Sequence, residues 1–168
     1  MKANLDDLYL PNCPSVLVIA PHPDDEVLGC GGLLSLLSSR GADINVDIIT
    51  DGGFGAFGKD KFARKEESLR AAQMLGYSPP NFWDLPDNHL RLDESLIERL
   101  RQRIIDAKPQ LMLVPSIWER HPDHLVLAHA STEALRRSAH KTMLLFYEVG
   151  NPLTANLIID ISGVHQKK

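Results

Sequence analysis

The most restrictive feature of the chain is the run Ser15-Val-Leu-Val-Ile-Ala20, which is apolar from its second residue onward, largely β-branched, and stopped by Pro21. A strand with one wet face alternates apolar and polar positions. A run with no polar position instead fits a strand covered on both faces, as in a parallel sheet with helices above and below it. The next segments agree. Residues 27–40 carry Leu33, Leu34, Leu36 and Leu37 and stop before Gly41, which predicts a helix closed by a glycine cap. Asp43–Thr50 reads as a second strand, broken by Asp51-Gly52-Gly53. Residues 54–61 are glycine-rich and irregular, and 62–75 have helical periodicity with Gly76 just past their end.

Asn81–Leu85 reads as a short strand before a turn at Pro86-Asp87-Asn88, after which Asp93 can cap a helix reaching about Ala107. Residues 111–114 form another apolar strand, and a loop through Pro115 and Trp118 leads to His121. Pro122 suits the first turn of a helix that continues to about Ser138. Residues 144–149 and 156–161 read as two closing strands. Strands alternating with helices at this spacing predict an α/β fold, a Rossmann-like three-layer sandwich with a mostly parallel sheet. At 168 residues the chain supplies one ordinary domain, taken as 1–168.

The composition is that of a soluble globular protein, with 43% hydrophobic and 24% charged residues. A net charge of −4 with scattered cations offers no basic stripe to a phosphate backbone, so nucleic acid is not expected as a partner. The opening MKANLDDLYLPNCP lacks the layout of a secretory signal. The apolar run 16–20 is far short of the roughly 20 residues of a membrane span, so no transmembrane segment and a cytoplasmic location are expected. Cys13 and Cys30 have no metal-ligand spacing and read as thiols in a reducing compartment.

Two segments carry chemistry, and each follows a predicted strand: Pro21-His22-Pro23-Asp24-Asp25-Glu26 and His121-Pro122-Asp123-His124. In open α/β sheets ligands gather beyond the carboxyl ends of strands, so both segments should share one rim. A catalytic divalent-cation site takes about three nitrogen and oxygen ligands and keeps a position open, and His22, Asp25 and His124 supply that set. Asp24 must project differently from Asp25, which leaves it to face the water. His121 and His124, three apart at a helix start, share a face, and His121 can overhang the site without ligating. Adjacent carboxylates are poorly placed to flank a glycosidic bond from opposite sides, so amide hydrolysis fits better. Either His-Pro-Asp segment alone could also be a capped helix-start turn. Gly29-Cys30-Gly31-Gly32 read as close-packing residues rather than a phosphate cradle, and Glu26 as a carboxylate behind a ligating histidine, ahead of a helix-start charge.

APHPDDEVLGCGG at 20–32 and PSIWERHPDHLVLA at 115–128 make the chain resemble the LmbE-like, or PIG-L, family of zinc-dependent N-acetyl-sugar deacetylases. The resemblance extends to TDGG at 50–53, Arg64-x-x-Glu67 in a helix ending LGY, LPDNHL at 85–90 and YEVGNPLTANLIIDIS at 147–162. It implies zinc on His22, Asp25 and His124, Asp24 as general base, and His121 as oxyanion stabiliser and, when protonated, helper of amine departure. Arg64 and Asp87 match positions that look like sugar contacts in relatives, with ordinary surface charges as the equal alternative. The implied reaction hydrolyses the N-acetyl group of an N-acetylglucosamine-type sugar or conjugate to acetate and a free amine. Two histidines and a carboxylate also suit iron(II) or another divalent cation. Family members continue past the DIS segment, so the chain reads as shortened at its C-terminus. An inactive metal-bearing sugar-binding or partner module, or a hydrolase of another amide or a phosphoester, are the rival readings.

Overall fold

The computed structural model describes residues 2–3, 14–53 and 61–168. In chain order the elements are β1 (Lys2–Ala3), β2 (Ser15–Ala20), α1 (Asp25–Ser39), β3 (Asp43–Thr50), α2 (Lys61–Leu75), β4 (Asn81–Leu85), α3 (Glu94–Ala107), β5 (Leu111–Pro115), α4 (Pro122–Ser138), β6 (Met143–Tyr147) and β7 (Ile158–Ile159). Five strands form one sheet in the order β4-β3-β2-β5-β6, and every pairing in it is parallel. The glycine-rich stretch expected to be irregular lies, apart from Lys61, outside the described residues.

The uninterrupted apolar run explains the layering. Successive side chains of a strand point to opposite faces, and β2 is fully buried on both. Val16, Val18 and Ala20 pack with Leu34 and Leu37 of α1 and Ala72 and Leu75 of α2. Leu17 and Ile19 pack with Leu96, Ile97, Leu100 and Ile104 of α3 and Leu127, Ala130 and Ala134 of α4. β5 alternates the same way, with Leu111 and Leu113 on the first side and Met112 and Val114 on the second. The three-layer α/β sandwich read from the sequence is the fold observed.

One polar network interrupts the second core. Asp47 of β3 is fully buried and accepts from Trp83 Nε1 at 3.1 Å and from Arg103 Nε and Nη2 at 2.8 and 3.1 Å. A buried carboxylate is tolerated when it is paired and hydrogen-bonded in this way.

Helix boundaries move by one or two residues. α1 starts at Asp25 rather than 27, because Asp24 takes the N-cap position and its carbonyl accepts from Val27 N and Leu28 N. Gly41 and Gly76 follow α1 and α2 at positive φ, as their cap roles require. Asp93 caps α3, its side chain accepting from Leu96 N at 3.0 Å. The two closing strands need correction. The first spans Met143–Tyr147, so residues 148 and 149 leave the sheet. The second shrinks to Ile158–Ile159 and pairs with Lys2–Ala3 in a separate two-stranded ribbon. Residues 151–157 carry no regular structure after Asn151-Pro152, and Pro152 has no N–H to donate to a ladder.

Candidate active site

From the central strand β2 the chain builds β3 and β4 on one side and then β5 and β6 on the other, so the strand order reverses between β2 and β5. That crevice is where open α/β sheets place ligands. A cleft of about 340 Å³ lies there, lined by groups that follow four of the five strands: His22 and Asp25 after β2, Asp87 after β4, Glu119, His121 and His124 after β5, and Val149 and Gly150 after β6. Arg64 of α2 also borders it. A larger groove of about 550 Å³ flanks β6, but aliphatic and aromatic side chains dominate its lining, whereas the histidines and carboxylates gather in the smaller cleft.

Pro21 ends β2, and Thr50 pins its carbonyl through both its backbone N–H at 2.9 Å and its hydroxyl at 2.8 Å. His22 and Asp25 then face each other across the tight turn, both buried. Asp25 Oδ2 lies 3.1 Å from His22 Nδ1 and 3.2 Å from His124 Nε2, and those two nitrogens lie 3.3 Å apart. Ligands about 2.0–2.1 Å from a tetrahedral ion sit about 3.3–3.4 Å from one another. The three donors therefore have the spacing, the buried setting and the N,N,O chemistry of a divalent-cation site.

Behind this triangle, His22 Nε2 lies 3.0 Å from Asp87 Oδ1 and 3.3 Å from Asp123 Oδ2. A proton on Nε2 directed at these carboxylates leaves the Nδ1 lone pair facing Asp25 and His124. Asp123 is fully buried and also accepts from Asn88 N at 2.7 Å and Leu90 N at 3.1 Å, so it ties the turn after β4 to the site. Two other groupings come within 4.8 Å: the ring nitrogens of His22, His121 and His124, and the donors of His22, Asp87 and Asp123. In the second, Asp123 already serves two backbone amides and is the weaker ligand for it.

Charge follows geometry. Burial alone would lower the pKa of His22, but hydrogen bonds to Asp123 and Asp25 and the charges of Asp25 and Asp87 outweigh it and raise it to about 10. Burial pushes Asp25 upward, yet hydrogen bonds from His124 and His22 hold it well below the usual carboxylate range. Asp24 goes the other way: burial and repulsion from Asp25 raise its pKa despite Arg64. Burial and the neighbouring His22 and His124 lower that of His121.

Asp24 projects away from Asp25, as expected, for a backbone reason. It sits at φ 113°, ψ −26°, a conformation uncommon for a residue with a side chain. Its N–H donates to Glu26 Oε2 at 3.0 Å. Glu26 is thus not the carboxylate behind a histidine that its sequence position suggested. As the second residue of α1 it turns back on the preceding turn, fully buried, and burial raises its pKa to about 7. Arg64 clasps the same turn, donating to Pro23 O at 2.7 Å, Gly52 O at 2.8 Å and Asp24 Oδ2 at 3.0 Å. Gly52 is required there: its φ is +62°, and a Cβ would lie 2.6 Å from Arg64 Nη1.

His121 joins the cluster, its ring centroid 4.5 Å from that of His22 and 5.2 Å from that of His124. It also caps α4, with Nδ1 accepting from Asp123 N at 3.2 Å. The cap and the site member are one residue, and with Nδ1 accepting at the cap a neutral ring carries its proton on Nε2. All seven residues singled out in the sequence, His22, Asp24, Asp25, Arg64, Asp87, His121 and His124, border this one cleft. Asp123 and Glu119 escaped sequence reasoning. Asp123 stood inside the quoted HPDH motif, but its partners Asn88 and Leu90 lie more than thirty residues away.

The fold and cluster define a Rossmann-like α/β protein with a candidate divalent-cation site at its topological switch point. Residues 17–135 match the family described as PIG-L, GlcNAc-PI de-N-acetylase, and the chain belongs to that family. Diacetylchitobiose deacetylase of Thermococcus kodakarensis is 31% identical over 129 residues, 71% of this chain and 48% of that protein. 4-Oxalmesaconate hydratase of Pseudomonas putida is 30% identical over 132 residues, 71% of this chain and 51% of that protein. The chain spans about half the length of these two relatives. The solved structure of a conserved protein from Thermus thermophilus is similar with a TM-score of 0.82 at 27% identity, covering 92% of this chain and 74% of that one.

Proposed function

We propose that the chain hydrolyses the N-acetyl group of an N-acetylglucosamine-type sugar or sugar conjugate, releasing acetate and a free amine. The observation that carries the reading is the triangle of His22 Nδ1, Asp25 Oδ2 and His124 Nε2, with sides of 3.1–3.3 Å, beside the differently aimed carboxylate of Asp24. These three residues would hold a divalent cation, zinc by the balance of imidazole and carboxylate, with iron(II) the main competitor. When bound, such an ion supplies Lewis acidity, which lowers the pKa of water and polarises an acyl oxygen.

The chain's own residues do the rest. Asp24 accepts the proton of the attacking water, and the burial and neighbouring Asp25 charge that raise its pKa make it a stronger base than an exposed carboxylate. His121, neutral and with Nδ1 committed to the α4 cap, points an Nε2–H donor at the oxyanion that develops on the acetyl group. Its lowered pKa makes it a donor at rest rather than a stored imidazolium, so the proton that leaves with the amine comes from Asp24, directly or through His121. Asp87 and Asp123 fix the tautomer of His22. Arg64 sets the Asp24 turn, and with Asp87 it borders the space where sugar hydroxyls would lie.

The test is acetate release from a panel of N-acetylglucosamine, diacetylchitobiose and an N-acetylglucosaminide conjugate, on zinc-loaded protein and on protein stripped by a chelator. Zinc-dependent acetate release is expected. No release from any member, with hydration of an unsaturated carboxylate instead, would move the reading to the reaction named for the Pseudomonas relative.

A further inference from the structure

Glu119 sits in the loop between β5 and α4, two residues before His121. In the fold it is buried, and its carboxylate is bounded on two sides. On one side Oε1 accepts the backbone N–H groups of Val149 at 2.7 Å and Gly150 at 3.2 Å, and Oε2 accepts that of Gly150 at 3.2 Å. On the other, Oε2 lies 3.7 Å from His124 Nδ1. That ring nitrogen is buried and has no hydrogen-bond partner among the described residues.

A neutral imidazole carries one proton, on either nitrogen, and an ionised carboxylate only accepts. The group facing His124 Nδ1 is such an acceptor. With the proton on Nδ1, Nε2 turns a lone pair toward Asp25 and His22, whose atoms lie 3.2 and 3.3 Å away. With the proton on Nε2, that nitrogen ceases to be a ligand.

We infer that Glu119 is a positioning residue: it holds His124 in the Nδ1–H tautomer that presents Nε2 to the site, while the same carboxylate fastens Val149 and Gly150 at the cleft rim. The inference rests on the metal-holding role given above to His22, Asp25 and His124. Carboxylates placed behind a ligating histidine change metal affinity by about 10–100-fold.

The informative variant is Glu119→Gln, which preserves shape. Its side-chain carbonyl can still accept from the Val149 and Gly150 amides, and that choice turns the NH₂ group toward Nδ1, where a donor favours the opposite tautomer. Zinc affinity, measured by competition with a chromophoric chelator, should fall about 10–100-fold, with the melting temperature of the metal-free protein unchanged within about 4 °C. A residue that merely braces the rim would leave zinc affinity untouched. Equal zinc affinities overturn the inference while leaving the ligand assignment intact. A wild-type chain that binds no zinc overturns both.

Discussion

At the scale of single residues, the site depends on making two adjacent aspartates do different things. A left-handed backbone costs an ordinary residue about 1–3 kcal/mol, and Asp24 is held there by Glu26 on its N–H and Arg64 on its carboxylate and on the preceding carbonyl. The outcome is that Asp25 turns into the buried triangle and Asp24 toward the open cleft. Asparagine tolerates that backbone region better than most residues, so Asp24→Asn isolates the chemistry from the conformation. It should keep the fold and the bound zinc and lose acetate release by about 10²–10⁴-fold, the usual worth of a positioned base. Turnover close to wild type in a steady-state assay would remove Asp24 from the role of base.

Packing between elements sets the next scale. α1 approaches β6 so closely that a Cβ on Gly29 would lie 2.2 Å from Tyr147 Cδ2. Tyr147 cannot simply move away, because it is buried and its hydroxyl donates to Ile19 O at 2.9 Å. Replacing an interior helix glycine by alanine gains about 0.5–1 kcal/mol in backbone terms, whereas overpacking costs about 1–3. Steric cost wins at Gly29, so Gly29→Ala should lower stability by about 1–2 kcal/mol in urea unfolding. Gly31 is the control: its added Cβ meets nothing nearer than 3.4 Å, and Gly31→Ala should be neutral or mildly stabilising. The ion pair between α3 and β3 yields a second contrast. Arg103→Met leaves the fully buried Asp47 with only the Trp83 N–H and should cost about 3 kcal/mol. Asp47→Asn in the Met background should recover part of that loss.

For the molecule as a whole, five parallel strands gather their following loops at one rim, and metal, protons and folding become linked there. Without metal, the folded pKa of His22 is about 10 against an ordinary 6.5. A basic group raised in this way contributes stability that is complete below pH 6.5 and disappears as pH climbs to about 10. Chelator-treated protein should therefore melt at progressively lower temperature across that window. Zinc competes for the same nitrogen cluster, so the rise in Tm that it produces should grow with pH. Differential scanning calorimetry with and without zinc at pH 6, 8 and 9.5 checks both slopes, and a metal-free Tm that climbs with pH contradicts the linkage. No helix among the described residues is long and apolar enough to cross a membrane. The chain's similarity to both a deacetylase and a hydratase also means that resemblance alone does not choose the reaction.

Much of this was legible in the chain itself because its causes are local. The apolar run of β2 specified a strand buried on both faces, the glycines after α1 and α2 marked their ends, and the chemistry of PHPDDE and HPDH nominated five residues, with Arg64 and Asp87 added by the family resemblance, that the fold brings to one cleft. Gly29 and Gly32 were legible as packing positions, although not what they pack against, which is Tyr147 and Ile161. Tertiary structure decided what depends on partners distant in sequence. Asp123 braces the turn after β4, Glu119 clasps the turn after β6, and the second closing strand pairs away from the main sheet. A hydrogen bond between residues thirty or more apart leaves no periodicity and no spacing in the sequence. It exists only once the order of the strands has set which loops are neighbours.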